Sequence, residues 1–176
     1  QDVLKPLGTE VTGGIRAIDA DLAISVVNGS IRYYLMWKEI QTQKIAVSDN
    51  LDSGWKKIGG GTPSFKLTNG TESHCENYNM LKIVDTWYTL CSLLGLKGYE
   101  KNLYLYEMSK SGVEDMDWLD WIHGYSVDTA IGSWNDKGPN NAGALSDWSK
   151  YDGWIYAFYA GENVTRTFHN RGHETI

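Results

Sequence analysis

Two acidic residues in this chain of 176 residues stand at the openings of apolar runs, where acid–base chemistry could be built. Asp19 lies in Ala17-Ile18-Asp19-Ala20-Asp21, and Glu76 lies in His74-Cys75-Glu76-Asn77-Tyr78. Two carboxylates brought together can divide labour. One is held protonated to donate to a leaving oxygen, while the other stays ionised to activate water or attack carbon. Cleavage of a glycosidic bond needs that division. Acids at strand starts are also ordinary solvated turn residues, so the pairing depends on the elements that carry them.

Three stretches repeat one pattern: an apolar run, a tight polar turn, and an aromatic pair that opens a second apolar run. They are Asp21 to Trp37, Tyr78 to Leu90 and Ala144 to Tyr159. Asn28-Gly29, Val84-Asp85-Thr86 and Tyr151-Asp152-Gly153 sit where the chain must reverse, which predicts a β-hairpin in each stretch. The aromatic pairs recur at Tyr34, Tyr88 and Tyr156. That is a spacing of roughly 55 to 70 residues, and antiparallel repeats of about 40 to 50 residues are the pattern of β-propeller blades, which these stretches are read to form. We therefore expect an all-β chain, a single domain over residues 1–176, with about three blades. A propeller brings the first strand of every blade to one central funnel, where Asp19 and Glu76 would face each other. A β-sandwich is the other all-β arrangement open to short strands and turns.

Between the hairpins, Ile45 to Trp55 reads as a strand, a polar turn and an aromatic, and Leu103 to Met108 alternates like a half-buried strand. Met116 to Ile122 reads as one helical turn or an aromatic-bearing loop, and Trp134 to Gly143 as irregular.

Composition narrows the function. Hydrophobic residues make up 41% and charged residues 22% of the chain, which is globular. No apolar run approaches the roughly 20 residues of a membrane span. A formal charge of −6 without Lys/Arg clusters argues against a nucleic-acid partner. The 8 Trp and 11 Tyr are the outlier. Flat aromatics pack cores, and they also stack on the C–H faces of sugar rings.

Three Asn-x-Ser/Thr sequons, at Asn28, Asn69 and Asn163, fall in turn-like context, which points to a secreted glycoprotein. Cys75 and Cys91 flank the second hairpin. They form either a disulfide across it or two buried free thiols. The four His make no paired zinc motif. Gly59-Gly60-Gly61 lacks the lysine and helix start of a phosphate loop. Asp115, Asp117 and Asp120 lack the glycine and distal glutamate of a calcium loop, and read as a solvated acidic face.

The residues around Asp19 and Glu76 also carry a family resemblance. Ile18-Asp19-Ala20-Asp21-Leu22 through Tyr33-Tyr34-Leu35-Met36-Trp37 resembles a blade of glycoside hydrolase family 43 and its five-bladed β-propeller relatives. Ser48-Asp49-Asn50-Leu51 with Gly54-Trp55 is similar to that family's blade edge. Cys75-Glu76-Asn77-Tyr78 with Lys82 and Trp87-Tyr88 resembles a further blade, and Phe158 to Glu162 with Gly172 to Ile176 resembles the closing strand.

The resemblance implies a secreted glycoside hydrolase that inverts the anomeric carbon of arabinose-, xylose- or galactose-type linkages in plant or fungal cell-wall polysaccharide. Glu76 matches the general acid, and Asp19 the carboxylate that orients it and tunes its proton affinity. Trp37, Trp134 and Asn141 are the expected sugar contacts, Asn140 and Asn141 standing near the position of a family histidine. No cofactor is expected, unless a calcium ion sits at the propeller axis, for which no ligand set stands out. The family's catalytic base belongs to a blade preceding Asp19, where Asp2 and Glu10 lie outside any strand motif. The likeness thus covers the C-terminal blades. An unclosed propeller leaves strand edges and apolar faces exposed. An N-terminal companion fragment or a homo-oligomer is therefore expected, alongside an oligo- or polysaccharide partner. The competing reading is a lectin-like propeller that binds sugar without cleaving it.

Overall fold

The computed structural model of the chain describes residues 17–39, 42–93, 102–126, 138–147, 149–162 and 174–175. These residues form three β-sheets. In the first, β1 (Ala17–Val27), β2 (Ser30–Glu39), β3 (Thr42–Ser48) and β4 (Lys56–Lys57) lie side by side in chain order. The β1–β2 reversal is the two-residue turn predicted by Asn28-Gly29, with φ of 51° and 79°. Positive φ at both central positions matches the right-handed twist of the flanking strands, and Asn and Gly tolerate it best.

The second sheet holds β5 (Ser64–Leu67), β6 (Glu72–Ser73), β7 (Cys75–Ile83), β8 (Thr86–Leu93), β9 (Asn102–Met108) and β10 (Asp120–Ser126). Its order is β6-β5-β10-β9-β8-β7. The expected helical turn near Met116 is present but short, and the chain is strand over Asp120–Ser126. Asp115–Leu119 is a single 3-10 stretch, and it runs directly into β10. β10 pairs with β9 on one side and in parallel with β5 on the other, Trp121 opposite Phe65. The third sheet contains β11 (Gly138–Asp147), β12 (Ile155–Glu162) and β13 (Glu174–Thr175), with the helical turn α1 (Ser149–Asp152) between the first two. Residues 138–143 are therefore strand rather than irregular. Register shifts at Asn140/Ala142 and Ala142/Ala144 absorb the residues that break the alternation.

β1 lies against β7, and β7 against β11, so one edge strand of each of the three sheets is a neighbour of the next. The first two sheets share one aromatic core. Tyr34 of β2 stacks on Trp118 of the 3-10 stretch, centroids 3.7 Å apart and planes 9° from parallel. Phe65 stacks on Trp121 and meets Tyr106 edge-on at 5.2 Å. Trp118, Trp121, Tyr34, Phe65 and Tyr106 are all fully buried. Burial of each large side chain contributes about 1.5–3 kcal/mol, and a well-placed ring pair about 1 kcal/mol more.

Gly124 of β10 shows how tight this packing is. A Cβ there would lie 2.5 Å from the Tyr106 ring. Overpacking of this kind costs about 1–3 kcal/mol. Gly124→Ala should lower the urea midpoint without changing the slope, and an unchanged midpoint would show that the ring can move aside.

Candidate functional site

Asp19 and Glu76 stand at matching places in the first two sheets. Asp19 has a φ of 58° and occupies the register shift between Ile18 and Asp21 in β1. Asn77, directly after Glu76, has a φ of 54° within the shift between Glu76 and Asn79 in β7. A left-handed residue inside a strand bends it and re-aims neighbouring side chains, at a strain of about 1–3 kcal/mol. Asn141 falls within the first register shift of β11, between Asn140 and Ala142, so each of the three adjacent strands is broken at a candidate residue. The device is not confined to them, since His123 of β10 also has a φ of 54°.

The Tyr78 phenol is buried, two residues after Glu76 in sequence. Burial first, then Cys75, Cys91, Asp19 and Glu76, push it well above its ordinary value. The buried Tyr78 hydroxyl donates to the Cys75 carbonyl.

The Glu76 side chain does not point into open solvent. It is 6% exposed and forms an ion pair with Lys38, itself 7% exposed. Lys38 sits in β2 directly opposite Ile18, the residue before Asp19. The contact therefore joins the first sheet to the second beside both carboxylates. Sequence reasoning missed Lys38. The signal was the alternation Tyr34, Met36, Lys38, in which the first two are fully buried. A charge in the third place of a core-facing row needs a buried partner.

Asp21 makes a second bridge between the sheets. Its Oδ2 accepts the Met80 N–H of β7 at 2.6 Å. Burial raises its carboxyl above the ordinary 3.8, against the lowering pull of backbone hydrogen bonds from Met80 and Leu22. An acid whose folded value lies above its unfolded value contributes most below the unfolded value, and that contribution is lost as pH rises through the folded one. Asp21→Asn retains an acceptor for Met80 but cannot ionise. Its stability relative to wild type should therefore improve as pH rises from about 3 to about 7. Thermal melts across that range check this, and a pH-independent difference would refute it.

Other sequence expectations meet different fates. Trp37 is fully buried beside Leu35 and Ala46 and gives its indole N–H to Glu39 at 3.1 Å, so it offers no face to a sugar. That corrects its assignment as a sugar contact: the alternation of β2 turns it into a small second core. Trp134 and Asn163 lie outside the described residues, as do Asp2 and Glu10. Cys75 and Cys91 are buried free thiols rather than a disulfide. Burial and the neighbouring Cys75 thiol push Cys91 well up. Asn28 and Asn69 are exposed in turns, and Asn69 caps its own turn by accepting the Thr71 N–H at 3.0 Å.

The acidic run is not one solvated face. Asp117 is 6% exposed and forms a capping box with Glu114. Asp115 lies 2.9 Å from Arg32 and accepts from Tyr34, while Asp120 pairs with Lys66. Arg32 and Asp115 also border a pocket of about 350 Å³ with Asp49, Lys56 and Lys57. Arg32 pairs with Ser25 near the Asn28-Gly29 turn, at the opposite end of β1 from Asp19. Among the described residues no group of three or more His, Cys, Asp or Glu side chains could hold a metal ion.

These observations define an all-β, propeller-type fold whose described sheets do not close into a ring, with carboxylates where edge strands of its sheets meet. No family model and no curated protein matches the chain. Among solved structures it is similar to an α-L-arabinofuranosidase from Lactobacillus brevis, at 13% identity and a TM-score of 0.54. That match covers 89% of this chain and 48% of the other, so the chain spans about half the length of that enzyme. It is also similar to an exo-1,5-α-L-arabinanase from a bovine ruminal metagenomic library, at 13% identity, covering 94% of this chain and 75% of the other. The TM-score of that second match, 0.38, is too low to carry argument. The first likeness supports the fold.

Proposed function

We propose that this chain is part of a secreted, carbohydrate-active propeller that hydrolyses arabinose-type glycosidic bonds. Glu76 is its general acid and Asp19 the carboxylate that orients that acid. One observation carries the reading: left-handed bulges at Asp19 and beside Glu76 break neighbouring strands at matching places. In the reaction Glu76 gives its proton to the glycosidic oxygen as the bond to the anomeric carbon breaks. Water adds to that carbon from the opposite face, and a third carboxylate takes its proton. That base comes from blades that complete the ring, supplied by an N-terminal companion segment or a second copy of the chain. The first sheet is ready for such a neighbour. Leu22, Ile24 and Val26 alternate outward along β1, and Ile31 joins them opposite Val26, all exposed on the face turned away from the shared core.

A second reading, sugar binding without cleavage, is favoured by the burial of Glu76 in an ion pair. The experiment offers linear arabinan oligosaccharides to the purified protein at its measured native mass. Released arabinose that disappears in Glu76→Gln supports hydrolysis. Retention on an arabinan affinity gel, unchanged by the substitution and without release, selects the binding reading.

A further inference from the structure

We infer that Lys38 is a positioning residue for Glu76, setting the direction in which that carboxyl meets a substrate; this rests on the hydrolase reading above. Glu76 has another candidate partner in its own sheet. Ser92 stands directly opposite it on β8, fully buried, and its hydroxyl has no hydrogen-bond partner. Residues directly opposite in an antiparallel pair have Cβ atoms about 5 Å apart, within easy reach of a glutamate. The carboxylate leaves that hydroxyl unmet and crosses instead to Lys38 on the neighbouring sheet. An unsatisfied buried hydroxyl costs about 1–3 kcal/mol. The direction of Glu76 is thus held by Lys38 against a local alternative.

The position of Lys38 suits this role. It pairs with Ile18 on one side and Gln43 on the other, in the middle strand of the first sheet. Its ammonium therefore reaches Glu76 from a backbone fixed on both edges. In the donor state Glu76 carries its proton on Oε1 while Oε2 still accepts from the Lys38 ammonium, so rotation of the carboxyl is restricted and the proton-bearing oxygen keeps its heading. A general acid gains from this because proton delivery depends on geometry before anything else. Lys38 itself need not touch the sugar.

The test uses Lys38→Met, Lys38→Arg and Glu76→Gln in the protein as purified, with two substrates. One is an arabinan oligosaccharide, whose leaving oxygen must be protonated; the other is an arabinosyl fluoride, whose leaving group needs no proton. Lys38→Met is expected to lower kcat/KM on the oligosaccharide by roughly 10- to 100-fold and to leave the fluoride within about threefold. Lys38→Arg should recover most of the loss, since it keeps the charge and the donor. Melting temperatures separate this from damage to the fold. Either single neutral variant should lower Tm by about 10 °C, and Lys38→Met/Glu76→Gln should recover part of that, as expected for a broken and then removed buried pair.

Equal losses on both substrates in Lys38→Met, or additive Tm changes in the double variant, would overturn the assignment. If wild type releases arabinose and Glu76→Gln fails selectively, while Lys38→Met does not, the positioning role alone is wrong. If wild type cleaves neither substrate, the hydrolase reading falls first.

Discussion

Glu76→Gln should reduce cleavage of an arabinan oligosaccharide by about 10²- to 10⁴-fold, the range associated with removing a general acid. The amide keeps the shape of the side chain but has no proton to give at neutral pH. The loss should fall in kcat as well as in kcat/KM, because proton donation develops only as the glycosidic bond breaks. An arabinosyl fluoride should be spared, since fluoride departs without protonation. That contrast matters because Glu76 is also a structural residue, buried against Lys38. Removing one partner of a buried pair leaves an uncompensated charge and destabilises by about 3–5 kcal/mol. A variant that has merely loosened would lose both substrates together, and its Tm would fall in step. Kinetics and melting must therefore be read side by side. A selective loss on the oligosaccharide at a temperature where the variant is still folded identifies the acid. A parallel loss on both substrates assigns Glu76 to structure.

Local signals in the sequence led to those parts of the fold where neighbours in the chain are neighbours in space. Asn28-Gly29 specifies its turn through backbone chemistry alone, and alternation in Leu103 to Met108 finds β9 without further help. Long-range pairing left no such trace. β5 is four residues long and joins β10 in parallel from more than fifty positions away, so nothing near Phe65 announces its partner. Met116 to Ile122 is ambiguous for a different reason. Trp118 and Trp121 are three apart, which suits a helical face, yet the chain leaves the 3-10 stretch at Leu119 and continues as strand. Packing against Phe65 decides there, over propensity.

The candidate site divides in the same way. Asp19 and Glu76 were legible because each opens an apolar strand. Their bulges were not, since φ at Asp19 and Asn77 depends on how one sheet meets the next. Trp37 was misread because aromatic wealth suggests sugar contacts without saying which face of a strand each ring takes. Counting alternation from Tyr34 separates Trp37 from the shared core and places Lys38 on the row facing it, with Glu76 as its answering charge. A charged residue in a core-facing register is the cheapest sequence clue to a buried pair.

Trp118→Ala is expected to be among the most damaging single changes in the described fold. The indole is fully buried, stacks on Tyr34 from the first sheet, and lies 4.8 Å from the Trp87 ring of the second. Its N–H donates to the Gly112 carbonyl at 3.2 Å, and its own carbonyl accepts the Trp121 indole at 3.0 Å. Gly112 can approach so closely because it has no side chain: its φ is 72°, and a Cβ would come within 2.8 Å of Trp87. Truncating such a residue removes the transfer energy of the ring and leaves a cavity the rigid sheets cannot fill, together about 3–5 kcal/mol. For a chain of this size that is a fall in Tm of about 10 °C or more. Trp118→Phe should recover much of the loss, because a phenyl ring preserves the stack on Tyr34 and forfeits mainly the bond to Gly112. Trp154→Ala provides the control, being 68% exposed on β12's approach, and should shift stability by less than about 0.5 kcal/mol. If Trp118→Ala melts with wild type, Tyr34 and Trp118 do not clasp the two sheets. The two sheets would then be held together by the Lys38–Glu76 pair and the Asp21–Met80 bond rather than by the aromatic stack.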